Sequence, residues 1–453
     1  MISVKNRMDD MQKEKLRNCR FLTNINVIRT VGFSVIIMVF FFSYFHRVST
    51  SVLVPDLVDS FAVSSTLIGL LASAYFYSYA AVQPLAGILV DRWKPRTVVF
   101  VSAILMGLGS TLFALATNFW VAFLARIIIG AGAGGVFIPI VWFISRWFSI
   151  KRRAFVFSFV MITGNSGAVL AAGPLGKLVS IAGWRGAILI FTAVTFVFAI
   201  LTWMIVRNDP QEVTSREDVN KQNKHKSTQN VSPATSAQKS NVNKVQWLKL
   251  LRVTFEIRVI RLMLCVVFLS YGALMSFQGV WGVPFLMDVY SLSRTSASNI
   301  ITILPIGIII GSLVLGRMLD TKLGMLFYLM GFISAAVVYF IFTVATAILA
   351  PIAIFLCIFI LGLTNIAFAF TLKVYSKTLP YEHLGSAMGI VNTVPFFGGM
   401  VFQPLTGFLF DLFGKDLSTP VVAYRYFFML LSLSLMAAII IAFKVKKELQ
   451  GKI

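Results

Sequence analysis

Twelve apolar runs, each long enough to cross a hydrocarbon layer roughly 30 Å thick as a helix, leave this 453-residue chain almost no way to fold outside a bilayer. They fall near residues 30–55, 65–90, 97–116, 119–143, 153–177, 184–206, 260–287, 297–319, 324–344, 347–372, 385–411 and 422–443. With 58% hydrophobic and only 13% charged residues, the chain is far more apolar than a soluble domain. An all-α membrane protein of twelve transmembrane helices is therefore expected.

The polar stretches divide these runs. A basic tail covers 1–29, a first six-helix bundle 30–206, a linker 207–258, a second bundle 259–443 and a short tail 444–453. The linker is rich in Lys, Ser, Asn, Gln and Thr, which bury no core, although WLKLLRV at 247–253 suits an amphipathic helix lying at the interface. The net charge of +23 would fit a nucleic-acid partner, but the basic residues gather in the tails, the linker and the turns after alternate helices. That is the positive-inside pattern, so the expected partner is the lipid bilayer and not nucleic acid. Only Lys177, Arg185, Arg294, Lys415 and Arg425 fall on the opposite face. Both termini are expected in the cytoplasm of a bacterial cell, the chain sitting as a multi-pass protein of the inner membrane. No cleaved signal peptide is expected, because the first apolar run is too long and follows a polar, basic stretch. Cys19, Cys265 and Cys357 have neither metal-ligand spacing nor an obvious disulfide partner, so no metal or other cofactor is expected.

The run GILVDRWKPR at 87–96 ends the second helix in a basic turn, and GRMLDTK at 316–322 repeats its Gly-x-x-x-Asp-x-basic spacing with one residue of slip. Asp320 follows Asp91 by 229 residues, and Pro404 follows Pro174 by 230, so two separate landmarks give nearly one internal shift. One half is a copy of the other. The run at 87–96 resembles the signature G-x-L-x-D-R-x-G-R-[KR] of the major facilitator superfamily of secondary transporters. Lys94 and Pro95 stand where the pattern carries a glycine. The resemblance implies two pseudo-symmetric six-helix bundles, and it implies that Asp91, Arg92, Arg96 and Asp320 act in gating. Small residues on single faces, Gly164, Ala168, Ala172 and Gly176, then Gly130 and Gly134, then Gly307 and Gly311, mark close helix crossings.

Ionisable groups inside a span are functional candidates by default. The first helix carries His46 and Arg47 together, and Ser43, Arg47 and Ser51 share one face at i, i+4 and i+8. An arginine there either lines a central cavity or snorkels to the interface; the polar stripe favours the cavity. This helix resembles that of the anion:cation symporter branch, and also nutrient transporters of intracellular bacteria. The resemblance makes Arg47 the anion-binding residue, but the branch's acidic position is occupied by His46. Similarly, RIIIGAG from Arg126 resembles a pattern of proton-coupled members, whose further glutamate is replaced by Ala133. For Arg126, a purely structural charge and a coupling role both stand. With no Asp or Glu near mid-membrane, His46 is the one intramembrane group able to gain and lose a proton near neutrality.

Further polar residues could line the same cavity or simply bond neighbouring helices. Tyr75, Tyr79 and Gln83 form a stripe on the second helix; Tyr271, Gln278 and Trp281 cluster on the seventh; Asn165, Asn365 and Asn392 are single amides on the fifth, tenth and eleventh. Lys373 is expected to snorkel to the cytoplasmic surface.

No nucleotide-binding loop, zinc spacing or nucleophile triad is present, so an enzyme is not expected. The leading expectation is a monomeric secondary transporter that moves a small polar solute, an organic anion or an amino acid, by alternating access with protons. An efflux antiporter for drugs or metabolites is the first rival. The second is a sensor or scaffold that kept the fold without transport.

Overall fold

The computed structural model describes residues 25–210, 255–314, 318, 323–365, 370–371, 374–375, 378, 384–414 and 420–450, and it contains no strand among them. Helix α1 runs Ile25–Val48 and, after an interruption at Ser49, Thr50–Phe61. Residues 65–93 form α2 and 95–114 form α3; α4 is Phe119–Gly134 with Phe137–Trp147. Helix α5 is Ile150–Leu170 continued over 173–182, and α6 covers 184–205. In the second half, α7 combines Arg258–Ser276, the π-turn Phe277–Trp281 and Gly282–Tyr290, while α8 combines Arg294–Ile301 and Ile303–Val314. Helices α9 (Gly324–Val344), α10 (from Pro351–Leu363), α11 (Leu384–Phe413) and α12 (Pro420–Gln450) complete the chain.

Nine helices among the described residues are long and apolar enough to span a membrane. Two of these are double passes, turned at Lys94 and at Gly183, where the backbone leaves helical geometry. Pro351–Leu363 opens the remaining pass, which reconciles nine continuous helices with twelve crossings.

Local chemistry sets the helix starts. Ser64, Asn118 and Ser293 each accept an amide from the first turn of α2, α4 and α8. At the end of α3, Arg185 donates to the carbonyls of Ala114 and Ala116 at 2.7 Å each, which satisfies groups that a helix end leaves open. Asp56 and Asp59, expected in a loop after residue 55, lie in the second segment of α1, which continues to Phe61. Helix α12 likewise runs beyond the expected 443, its end held by an ion pair of 3.0 Å between Glu448 and Arg258 at the start of α7.

The halves α1–α6 and α7–α12 meet chiefly through α2 against α11 and α5 against α8. The internal shift of 229 carries α2 onto α8 and α5 onto α11, so these two seams are one contact seen from either half. Their contacts close the end of the molecule opposite the basic turns. Asp411, at the end of α11, accepts from the Ser65 amide at 2.8 Å, from the Thr66 amide at 2.9 Å and from the Thr66 hydroxyl. Arg294 pairs with Asp56 at 3.0 Å, and the Gly173 amide donates to Thr302 Oγ1 at 2.8 Å. The close crossing depends on missing side chains, because a Cβ at Gly69 would strike the Gln403 carbonyl and one at Gly407 the Ser65 carbonyl.

The expectations for the basic tail up to residue 24, most of the 207–258 linker, Cys19, Asp320 and Lys373 lie outside the described residues, as does the side chain of Asn392.

Candidate functional site

Arg47 sits where the two halves meet and is only 5% exposed. Its guanidinium carbon lies 4.1 Å from the Tyr44 ring centroid and 5.2 Å from those of Tyr79 and Phe396. Nη1 donates to the Tyr271 hydroxyl at 3.3 Å, and Nε has no partner. The walls thus come from α1, α2, α7 and α11. Among the described residues no carboxylate pairs with this arginine. Aromatic faces offset part of the cost of burying a cation, on the order of 2 kcal/mol or more when desolvated, but they leave its in-plane donors free for an anion.

The neighbouring residue looks elsewhere, since successive positions on a helix point about 100° apart. His46 is 1% exposed, packs edge-on against Phe45, and has an unpartnered Nε2. Its carbonyl receives Arg126 Nη1 at 2.7 Å, while Arg126 Nη2 reaches the Ala72 carbonyl at 3.5 Å. Tyr75 stands between the arginines: its ring faces Arg126 at 5.4 Å and stacks on Tyr79 at 5.7 Å, and its hydroxyl donates to the Ser43 carbonyl at 2.9 Å. Arg126 therefore ties α4 to the backbones of α1 and α2, whereas Arg47 faces the other half.

The remaining expected site residues divide by what they bond. Ser51 Oγ accepts the buried Val283 amide at 3.2 Å, just beyond the π-turn of α7, so this hydroxyl serves a cross-half joint. Gln278, in that π-turn, lines a small crevice with Ser51, Ala168 and Pro305. Trp281 donates to Thr406 Oγ1 at 2.9 Å inside the second half, and Asn165 donates to the Met161 carbonyl of its own helix at 2.9 Å. Gln83 is 3% exposed with both amide atoms unpartnered. Of the residues expected to gate, Asp91 and Arg92 are exposed at the basic end. Arg96 packs on Trp203 at 4.3 Å, and its amide donates to Asn208 Oδ1 at 3.0 Å.

Asn365 belongs to a second cavity of about 40 Å³ inside the α7–α12 half, which Ser270, Tyr271, Tyr339 and Thr364 also line. Tyr271 thus contributes both to the wall beside Arg47 and to this cavity.

Sequence reasoning passed over Tyr44, Phe396, Tyr339 and Asp411. Tyr44 precedes Arg47 by three residues and so shares its face, a signal that was available. Phe396 and Asp411 become relevant only through the crossing of α2 and α11, which no local pattern announces.

The profile of the family described as Major Facilitator Superfamily matches residues 36–372 and 263–452. The hexuronate transporter of Bacillus subtilis (strain 168) is 27% identical over 394 residues, covering 82% of this chain and 86% of that protein. The probable sulfoacetate transporter SauU of Cupriavidus necator is 26% identical over 186 residues, 40% of this chain and 43% of that one. Among solved structures, a bacterial homolog of the human lysosomal transporter Spinster, inward-facing and unoccupied, aligns with a TM-score of 0.64 at 16% identity, covering 92% of this chain and 95% of that chain.

Proposed function

Because the chain belongs to the major facilitator superfamily and is a multi-pass membrane transporter, we propose that its cargo is a small organic anion, held by its carboxylate on Arg47. The supporting observation is a buried guanidinium with an unpartnered Nε and no acid beside it among the described residues. A planar fork of donors suits a carboxylate, and the incoming charge supplies the missing counterion. The two relatives, named for hexuronate and sulfoacetate, carry anions by those names. A lipophilic cation, the typical cargo of an efflux antiporter, would meet an uncompensated positive charge. An amino acid would bring an ammonium group for which no described carboxylate stands at this depth.

The cycle is read as alternating access in a bacterial inner membrane, with the basic turns and both termini in the cytoplasm. The closed seam of α2, α5, α8 and α11 at the other end is read as the shut outer gate of that cycle. Proton symport is part of the reading, with His46 as the buried titratable group and Arg126 fixing its backbone. Replacing His46 by Gln is expected to abolish pH-driven accumulation while exchange persists.

Counterflow in proteoliposomes tests the cargo. Labelled monocarboxylates and sugar acids are expected to exchange through the native chain. Arg47→Ala should abolish that exchange and Arg47→Lys should reduce it more than about tenfold, both variants staying monodisperse. Exchange at native rates in Arg47→Ala would remove the anion from the mechanism.

A further inference from the structure

The cavity that begins at Tyr271 is largely apolar, but Ser270, Tyr271, Tyr339, Thr364 and Asn365 add neutral polar groups to its lining and no charged residue does. The Tyr339 side chain is 2% exposed and the Asn365 carboxamide borders the same space, and neither makes a side-chain hydrogen bond to the described residues. Ser270 Oγ makes only a long contact of 3.4 Å to the Val267 carbonyl, and the Thr364 hydroxyl donates to the Ile360 carbonyl of its own helix at 2.7 Å while its acceptor capacity remains. Polar groups at a cavity wall that keep free donor or acceptor capacity can take the hydroxyls of a ligand as partners.

Among the described residues no cation lines this space. The described basic residues of the α7–α12 half lie at helix ends: Arg258 and Arg261, Arg294, Arg425 and the group from Lys444. Arg126 commits both terminal nitrogens to carbonyls behind the Tyr75 ring, keeps an unpartnered Nε, is 1% exposed and does not line this cavity. A second carboxylate would enter a space with one guanidinium already neutralised, where an unpaired buried charge costs several kcal/mol.

We propose that this cavity is the subsite for the uncharged, hydroxyl-bearing part of the cargo, so that the transporter selects by charge number, admitting one carboxylate and refusing two. The inference rests on the anion reading and adds two things to it. Tyr271 is the junction, its hydroxyl accepting from Arg47 while the residue also lines the neutral subsite. Hydroxyl groups of the cargo would donate to and accept from Asn365 and Tyr339, which a purely apolar tail leaves unpaired.

Gluconate and glucarate test the charge rule, because these open-chain acids differ only in whether the far carbon is a hydroxymethyl or a second carboxylate. Titration calorimetry on the full chain in detergent, at a pH where both glucarate carboxylates are ionised, is expected to show gluconate binding at least about tenfold more tightly than glucarate. Equal affinities, both lost in Arg47→Ala, would overturn the charge rule and leave the anion reading standing. Binding of both acids unchanged in Arg47→Ala would overturn the two together. Lactate tests the subsite, since it carries a single hydroxyl next to its carboxylate and none further along. Asn365→Ala and Tyr339→Phe are expected to weaken gluconate about fivefold or more each while lactate keeps its native affinity. Equal weakening of both ligands, gluconate binding no tighter than lactate, or binding of neither acid would each overturn the subsite.

Discussion

Arg126 donates to the carbonyl of His46 at 2.7 Å, and the same carbonyl receives the Ser49 hydroxyl at 3.4 Å where α1 is interrupted. A charge from α4 thus fastens the backbone of α1 at the residue before Arg47. Arg126→Lys keeps the charge but loses the fork that reaches both His46 and Ala72. The expected cost is about 1–2 kcal/mol, seen as a lower unfolding temperature with anion affinity nearly unchanged. A large drop in affinity without a loss of stability would instead put Arg126 in contact with cargo.

The hold of Asp411 on the first turn of α2 joins the halves where the end opposite the basic turns is shut. A carboxylate on helix N-terminal amides is a charge-assisted cap, typically about 1–2 kcal/mol. Asp411→Ala is expected to open that end more often, raising labelling of a cysteine introduced at Ser51 by a membrane-impermeant thiol reagent about tenfold. Gly407→Leu should act in the same direction more strongly, since its side chain meets the Ser65 carbonyl. Unchanged labelling in both would mean the seam does not depend on this crossing.

Asp56 lies beyond the 25–48 span, and burial of its carboxyl, outweighing the guanidinium of Arg294, pushes its pKa above the usual carboxylate range. Asp59 adds a further push upward. A carboxyl raised in the closed form binds its proton more tightly there than when water reaches it. Closure therefore gains as pH falls through the raised value and loses as pH rises above it. The same labelling assay should show the seam opening more as pH rises from the ordinary carboxylate range, about 4, through the raised value in the native chain, and this dependence reduced in Asp56→Asn. The reverse trend would show that the ion pair dominates burial.

Lys94 turns the chain between α2 and α3 with φ 65° and ψ 158°, a region that side chains other than glycine's seldom adopt. The signature resembled by residues 87–96 has its glycine at this position. Lys94→Gly is expected to raise stability by about 1 kcal/mol, read as a higher unfolding temperature. A fall would mean that the lysine's own contacts outweigh the backbone strain.

The turn at Lys94 shows how far the order of residues reaches. Helix count, the duplicated halves and the basic turns follow from local apolarity and charge, which a linear chain displays directly. Arg47 was legible too, because a cation in an apolar stretch has few places to go. What surrounds it was not: Phe396 reaches Arg47 only because glycines let α2 and α11 cross closely, and Asp411 reads as a helix end until Ser65 and Thr66 stand opposite it. Ser43, Arg47 and Ser51 were read as one polar face, with His46 beside it as the proton candidate. In the fold Ser43 meets Tyr75, Ser51 serves the α7 amide, and His46 turns inward, because a single helix is packed from several sides at once.

The guanidinium of Arg47, which no described carboxylate pairs, has an electrical consequence. A monovalent anion bound alone lowers by one the charge that the core carries through whatever part of the transmembrane field the rearrangement spans; bound together with a proton it leaves that charge unchanged. At about 2.3 kcal/mol per elementary charge per 100 mV for full traversal, the voltage dependence of the loaded passage therefore differs by one charge between uncoupled passage and proton symport.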